Sequence, residues 1–263
     1  MRSASAVRDS IVLCVLLLAT AASAQQMVRV PGGPFTMGSD DGPADEQSAH
    51  AVTLEPFEID RVPVRNGEFA LFLTQYGPVA PDGRRHFDWD DRDARIGREA
   101  GGWRAHPGYE DHPAAEVSWL GAQAYCRWLS KRLPTEAEWE KAARGADGRR
   151  YPWGNAAPAP RHGQFARGYN ETVAAGRHPD GASPYGVLDM AGNVWQWVSS
   201  VYRPYPYRHD DGREAADASP EVRATRGGGH DSTAQEIRTA KRGRTLSRAP
   251  RAGHHNIGFR CAR

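Results

Sequence analysis

Residues 183–197 read Ser183-Pro184-Tyr185-Gly186-Val187-Leu188-Asp189-Met190-Ala191-Gly192-Asn193-Val194-Trp195-Gln196-Trp197. Gly186, Gly192 and Asn193 are residues that hold turns, and the run from Val194 to Val198 then reads as a short strand. Trp195 and Trp197 bring large apolar surfaces, the kind that a core poor in regular structure needs. Working outward, Ala224 to Gly228 and Ile257 to Cys261 read as further short strands, and Arg144 to Tyr185 as turns and irregular chain. Towards the N-terminus, Met27–Val30 and Phe35–Gly38 read as two strands joined by the turn Pro31-Gly32-Gly33, with Ala51–Leu54 and Phe57–Asp60 as another pair. Between these sets of strands lie three helical stretches. Val64–Tyr76 carries Phe69, Phe72 and Leu73 on one face. Ser118–Leu129 repeats Trp119, Ala122, Cys126 and Leu129 at helical spacing, and the third opens at Pro134-Thr135-Glu136-Ala137-Glu138-Trp139. Thr135 and Glu138 make a capping box there. Helices flanked by strands whose ends can pair predict a loop-rich α+β domain.

The first residues belong to a different argument. Arg2 and Arg8, the apolar run Ile11–Ala19 and Ala22-Ser23-Ala24 predict a secretory signal peptide at 1–24, cleaved near Ala24, ahead of one domain over 25–263. That run is too short to span a bilayer, and no other stretch approaches the length a span needs. The protein is therefore expected in the periplasm or secreted. Charges are interleaved and the formal net charge is +2, which excludes the basic face expected of a nucleic-acid binder. Cys14 lies in the expected leader. Cys126 and Cys261, far apart in an oxidising compartment, most simply form one disulfide; a pair of free or metal-binding thiols is the alternative, although two ligands alone make an incomplete site.

Ten blocks stand out along the chain: Val28–Ser39 with Asp45-Glu46 and His50, Phe57–Asp60 with Pro63-Val64, Val117-Ser118-Trp119, Ala124–Leu129, Lys131–Glu140, Ala143–Gly145, Tyr151–Asn155, the 183–197 stretch, Arg226-Gly227-Gly228 and Asn256–Cys261. In this order they resemble the sulfatase-modifying factor domain of formylglycine-generating enzymes. The resemblance covers nearly all of the chain after the leader. It implies a single-domain, loop-rich variant of the C-type lectin fold, and it implies that Cys126 and Cys261 are disulfide-bonded.

The resemblance also implies what is missing. Formylglycine-generating enzymes bind copper through two cysteines after the Arg-Gly-Gly motif, because paired thiolates suit a soft cuprous ion. Here Arg226–Arg238 contains no cysteine, and Gly229 stands where a serine often follows the glycines. Copper-dependent formylglycine generation in sulfatases is therefore not expected. Related proteins include iron-dependent sulfoxide synthases with an added helical domain, which no stretch here resembles, and periplasmic proteins that mature the pyoverdine chromophore. The replacing segment offers His230, Asp231 and Glu236, and the loop before the last strand offers His254 and His255. Neutral imidazoles with a carboxylate suit a ferrous ion, so His230, His254 and His255 are candidate iron ligands; the plainer reading is that they are polar loop residues beside a groove. Trp197, His230, Asp231 and Ser232 are the candidate catalytic residues of that groove, which would take a peptide or peptide-derived substrate. The resemblance further implies one structural calcium at Asn193, Val194 and Gln196, weakened because Gln196 replaces a glutamate. A non-catalytic ligand-binding module, or an accessory factor for a periplasmic enzyme, is the competing class. No oligomeric state follows from the sequence.

Overall fold

The computed structural model describes residues 26–215, 222–243 and 253–263; the expected leader with Cys14 lies outside the described residues. Among these, the chain forms three α-helices and nine short strands. The α+β reading holds. At the N-terminal end, β1 (Met27–Val30) pairs antiparallel with β4 (Phe57–Asp60), and β2 (Gly33–Met37) with β3 (His50–Leu54). The strands are those the sequence predicts, but their partners differ, since neither expected pair is a hairpin. The two connections lie against each other instead: a Cβ on Gly32 would stand 3.0 Å from Pro56. Four strands thus make one kinked ribbon folded on itself.

α3 (Glu136–Arg144) lies between this ribbon and a second sheet, while α1 (Asn66–Tyr76) and α2 (Trp119–Trp128) pack against each other, with α2 against that sheet. Ser118 caps α2 by accepting from the Gly121 amide, and the Thr135/Glu138 capping box of α3 is formed. A hairpin the sequence reading missed, β5 (Ile96–Glu99) with β6 (Gly102–Ala105), leans on α1. Its strands are polar and mostly exposed at their tips, so they lack the apolar alternation by which strands are recognised.

The second sheet has the order β8-β7-β9, with β7 (Trp195–Val201) in the centre, β8 (Arg223–Arg226) antiparallel and β9 (Ile257–Phe259) parallel to it. Trp119, Trp197, Phe69 and Phe259 are fully buried in the principal core between this sheet and the helices. Cys126 of α2 is bonded to Cys261, just beyond β9. The chain's end then returns to the first ribbon, with the amides of Asp60 and Glu58 donating to the carbonyls of Cys261 and Arg263. No helix among the described residues is long and apolar enough to cross a membrane.

Candidate functional site

Strand direction decides which loops meet. β7 begins at Trp195; β9, parallel to it, begins beside that point, and β8, antiparallel, ends there. The chain before β7 (Asn193), after β8 (227–232) and before β9 (254–256) is therefore gathered at one sheet edge. The Arg-Gly-Gly motif anchors the middle segment. Arg226 is fully buried and donates to Glu136 at 3.0 Å, to Glu140 at 2.5 Å and to the Thr239 carbonyl at 2.6 Å. Gly227 and Gly228 follow with φ of 97° and 76°, and a Cβ on either would press Trp139 or Ile237 at 3.0 and 2.8 Å. The turn needs both the left-handed backbone and the missing side chains.

His230 is delivered by that turn into a fully buried position. Its amide donates to the Asn193 carbonyl at 2.9 Å, and its Nδ1 lies 3.0 Å from the same oxygen. A carbonyl only accepts, so Nδ1 carries the proton and Nε2 is left with a bare lone pair. That Nε2 is buried and has no partner. The ring of His255, itself buried, stands 5.6 Å from that of His230, and its Nδ1 is likewise buried and unpartnered. Burial, then the neighbouring His254 and His230, push the His255 pKa down to about 4, so the ring is neutral and able to ligate at neutral pH. The His254 ring is 4.4 Å from that of His255, and its Nδ1 pairs with the Asn256 carboxamide oxygen at 2.6 Å. Asn256 in turn donates to both carboxylate oxygens of Asp231, at 3.1 and 2.9 Å. The sequence-predicted His230, Asp231, His254 and His255 thus converge.

Other predicted residues do not. Trp197 lies in the core with its indole N–H donated to the Val117 carbonyl at 3.0 Å, so it lines no groove. The alternation along β7 turns it inward against the helices. Ser232 is buried at the edge of the cluster, and its hydroxyl accepts from the Gly229 amide at 3.0 Å, a turn-closing role. Glu236 closes its own turn by accepting from the amide and hydroxyl of Thr233. The calcium expectation is corrected as well. Gln196 is fully buried, and its oxygen already accepts from Trp139 at 2.9 Å and Arg260 at 2.6 Å. Asn193 exchanges two hydrogen bonds with the Val173 backbone, its carbonyl is held by His230, and Val194 is in the core. The side-chain oxygens of Gln196 and Asn193 are thus both engaged within the chain.

Sequence reasoning missed the opposite rim. Tyr169, 58% exposed, stacks 4.2 Å from the His255 ring, and its hydroxyl donates to Asp93. Asp91, Asp93 and Glu116 bring carboxylate oxygens within 4.8 Å of one another, the one such three-ligand group among the described residues. Asp91 and Asp93 lie in an acidic run that looks like a solvated loop in sequence, and Glu116 is remote from it.

Comparison with known proteins agrees with this framework. The model of the sulfatase-modifying factor enzyme 1-like domain matches residues 16–263. The formylglycine-generating enzyme of Streptomyces coelicolor is 37% identical over 91% of this chain and 90% of its own. Serine/threonine-protein kinase Pkn1 of Chlamydia trachomatis is 36% identical over 90% of this chain, which spans only 38% of the kinase's length. The solved structure of PvdO from Pseudomonas aeruginosa superposes with a TM-score of 0.66 at 31% identity, over 91% of this chain and 94% of that one.

Proposed function

Because the chain belongs to the sulfatase-modifying factor enzyme 1-like family, we propose that it is an exported, oxidoreductase-like member that modifies a peptide or peptide-derived metabolite and does not generate formylglycine. The observation that carries this reading is the pair of buried, partnerless imidazole nitrogens, His230 Nε2 and His255 Nδ1, on rings 5.6 Å apart. An orphaned buried acceptor is costly unless a ligand completes it. Two imidazoles, one oriented by a backbone carbonyl, are the donor chemistry of a ferrous or similar borderline divalent ion. His230 and His255 would hold that ion, with His254 and Asp231 beside them, and the ion would supply oxygen activation.

Residues around the pair have their own parts. Asn193 holds the His230 ring in the tautomer that leaves Nε2 bare. Asn256 holds the Asp231 carboxylate at the exposed edge, where it can accept from a substrate N–H. Tyr169 offers an exposed ring beside His255 against which a substrate can lie. Replacement of the cysteine pair supports a reaction other than cysteine oxidation in sulfatases.

The same absence of cysteines favours a second reading, a ligand-binding or accessory module of the periplasm. Elemental analysis of protein purified from the periplasm separates the two, compared with a His230→Ala/His254→Ala/His255→Ala variant. Near-stoichiometric iron that the variant loses, with oxygen uptake on addition of peptide, supports the oxidoreductase. Calcium alone, or no metal, moves the assignment to the binding module.

A further inference from the structure

A second cavity, of about 290 Å³, lies at the far end of the segment that carries His230, lined by Ser39, Asp41, Arg144, Arg150, Asn155 and Arg238. Three guanidinium groups meet in it, and two are held from behind. Arg238 makes a two-pronged pair with the buried Glu46 at 2.7 and 3.0 Å. Arg144 donates to Glu140 at 2.7 Å and to the carbonyls of Thr36 and Gly38 at 2.9 and 2.7 Å. These contacts engage one terminal nitrogen of Arg144, and the other donates to the Gly148 carbonyl at 3.4 Å, which fixes the guanidinium in place.

Arg150 is the third cation, and it is incompletely satisfied. Its side chain is 43% exposed and reaches only the 74%-exposed Asp41 at 3.3 Å and Gln235 at 3.2 Å. Asp41 is itself engaged by the Ser39 hydroxyl. An incoming carboxylate could take its place on Arg150 in a geometry that a guanidinium binds with two parallel hydrogen bonds.

We propose that this cavity is a binding site for a carboxylate or small oxyanion group, taken by Arg150 at the mouth, with the Arg144 and Arg238 guanidinium groups lining the wall. It is independent of the histidine pair. The shared chemistry admits two sources, a carboxylate carried by a peptide-derived molecule and a free inorganic oxyanion.

Calorimetric titration of the whole chain with N-acetylglycine, N-acetylglycinamide and inorganic phosphate tests the site. Saturable binding of N-acetylglycine but not of its amide is expected. Arg150→Ala should weaken it about tenfold or more, with partial recovery in Arg150→Lys, since a lysine keeps the charge and loses the two-pronged geometry. Arg150 is half-exposed, so its substitution leaves the fold intact, and melting curves check this. Tighter binding of the carboxylate than of phosphate assigns the site to an organic acid, and the reverse order to a free oxyanion; both support it. Equal response to acid and amide with no phosphate binding, or an affinity that Arg150→Ala does not change, overturns it. Because metal content is unaffected by these variants, failure here is distinct from failure of the oxidoreductase reading.

Discussion

The Asn193 carbonyl oxygen lies 3.0 Å from His230 Nδ1, and that contact decides which nitrogen of the ring faces the site. Asn193 reaches it from a left-handed conformation with φ of 66°, a region asparagine tolerates far better than most residues. Asn193→Ala should therefore loosen the ring without removing a ligand. The expected loss of cobalt affinity is about 10- to 100-fold, as for other changes to groups that orient a metal ligand, with a greater loss for His230→Ala. Cobalt titration followed by visible absorption checks both. Equal, unaltered affinity in the two variants would remove His230 from the metal site.

His255 makes stability depend on mild acid. Burial lowers its pKa from the ordinary 6.5 to about 4, so between these values the unfolded chain binds the proton and the folded one does not. Stability then rises with pH across that window and is lost as pH falls from about 6.5 towards 4. His255→Gln should flatten the pH dependence of the melting temperature in that range. Carbon-detected titration of the His255 ring by NMR should place its midpoint near 4; a midpoint near 6.5 contradicts the burial argument.

The elements were legible where local chemistry specifies them. Thr135 with Glu138 marks the start of α3, and the apolar repeat of α2 marks its buried face. Pairing of the N-terminal strands was not, because Pro31-Gly32-Gly33 signals a bend in the chain and says nothing about which strand lies alongside. At the site, His230 and Asp231 were found because they lie in the segment that stands where the resemblance places a cysteine pair, and His254 and His255 as adjacent imidazoles in the loop before the last strand. Trp197 and Gln196 were misassigned for one reason: both belong to a buried strand, where the polar atom of each side chain is consumed by neighbours distant in sequence. Tyr169, Asp93 and Glu116 come from three separate loops, and no spacing connects them.

Below the site, α3 is held by a buried ionic lattice. Glu136 accepts from Arg242 at 2.7 and 3.0 Å and from Arg226 at 3.0 Å, all three side chains being fully buried. Burial alone would raise the Glu136 pKa, but Arg242 and Arg226 hold it below the usual value. Glu136→Gln removes the charge and leaves two buried cations under-compensated. A loss of about 3–5 kcal/mol is expected, read from the urea midpoint.

Gln196 distinguishes a core hydrogen-bond hub from a calcium ligand. Its oxygen accepts from Trp139 and Arg260, and its amide donates to the Asp189 carbonyl at 2.7 Å. Gln196→Leu orphans the Trp139 indole N–H and the Arg260 Nε–H, while the Asp189 carbonyl keeps Arg260 at 3.1 Å; each orphan costs about 1–3 kcal/mol. A drop of at least about 2 kcal/mol is expected, while adding calcium to the wild type leaves its melting temperature in place. A calcium-dependent rise that Gln196→Leu abolishes would restore the ligand role.

The disulfide closes a long loop. Cys126 and Cys261 are separated by 135 positions, and in the chain-entropy account a loop of that length contributes about 5 kcal/mol. The same tail has other holds. The Cys261 amide donates to the Asp60 carboxylate at 2.9 Å, the Asp60 amide donates to the Cys261 carbonyl at 2.8 Å, and Lys131 bonds Asp60 at 2.6 Å. Backbone pairing keeps the C-terminus in register in the folded state, whereas the disulfide acts chiefly by restricting the unfolded chain. Cys126→Ala/Cys261→Ala should therefore fold with unchanged circular dichroism but unfold at lower denaturant, by up to about 5 kcal/mol. A loss below about 1 kcal/mol would mean that the reduced chain already stays compact around Asp60 when unfolded, and a collapse of the spectrum would mean that the backbone pairing cannot seat the tail without the bond.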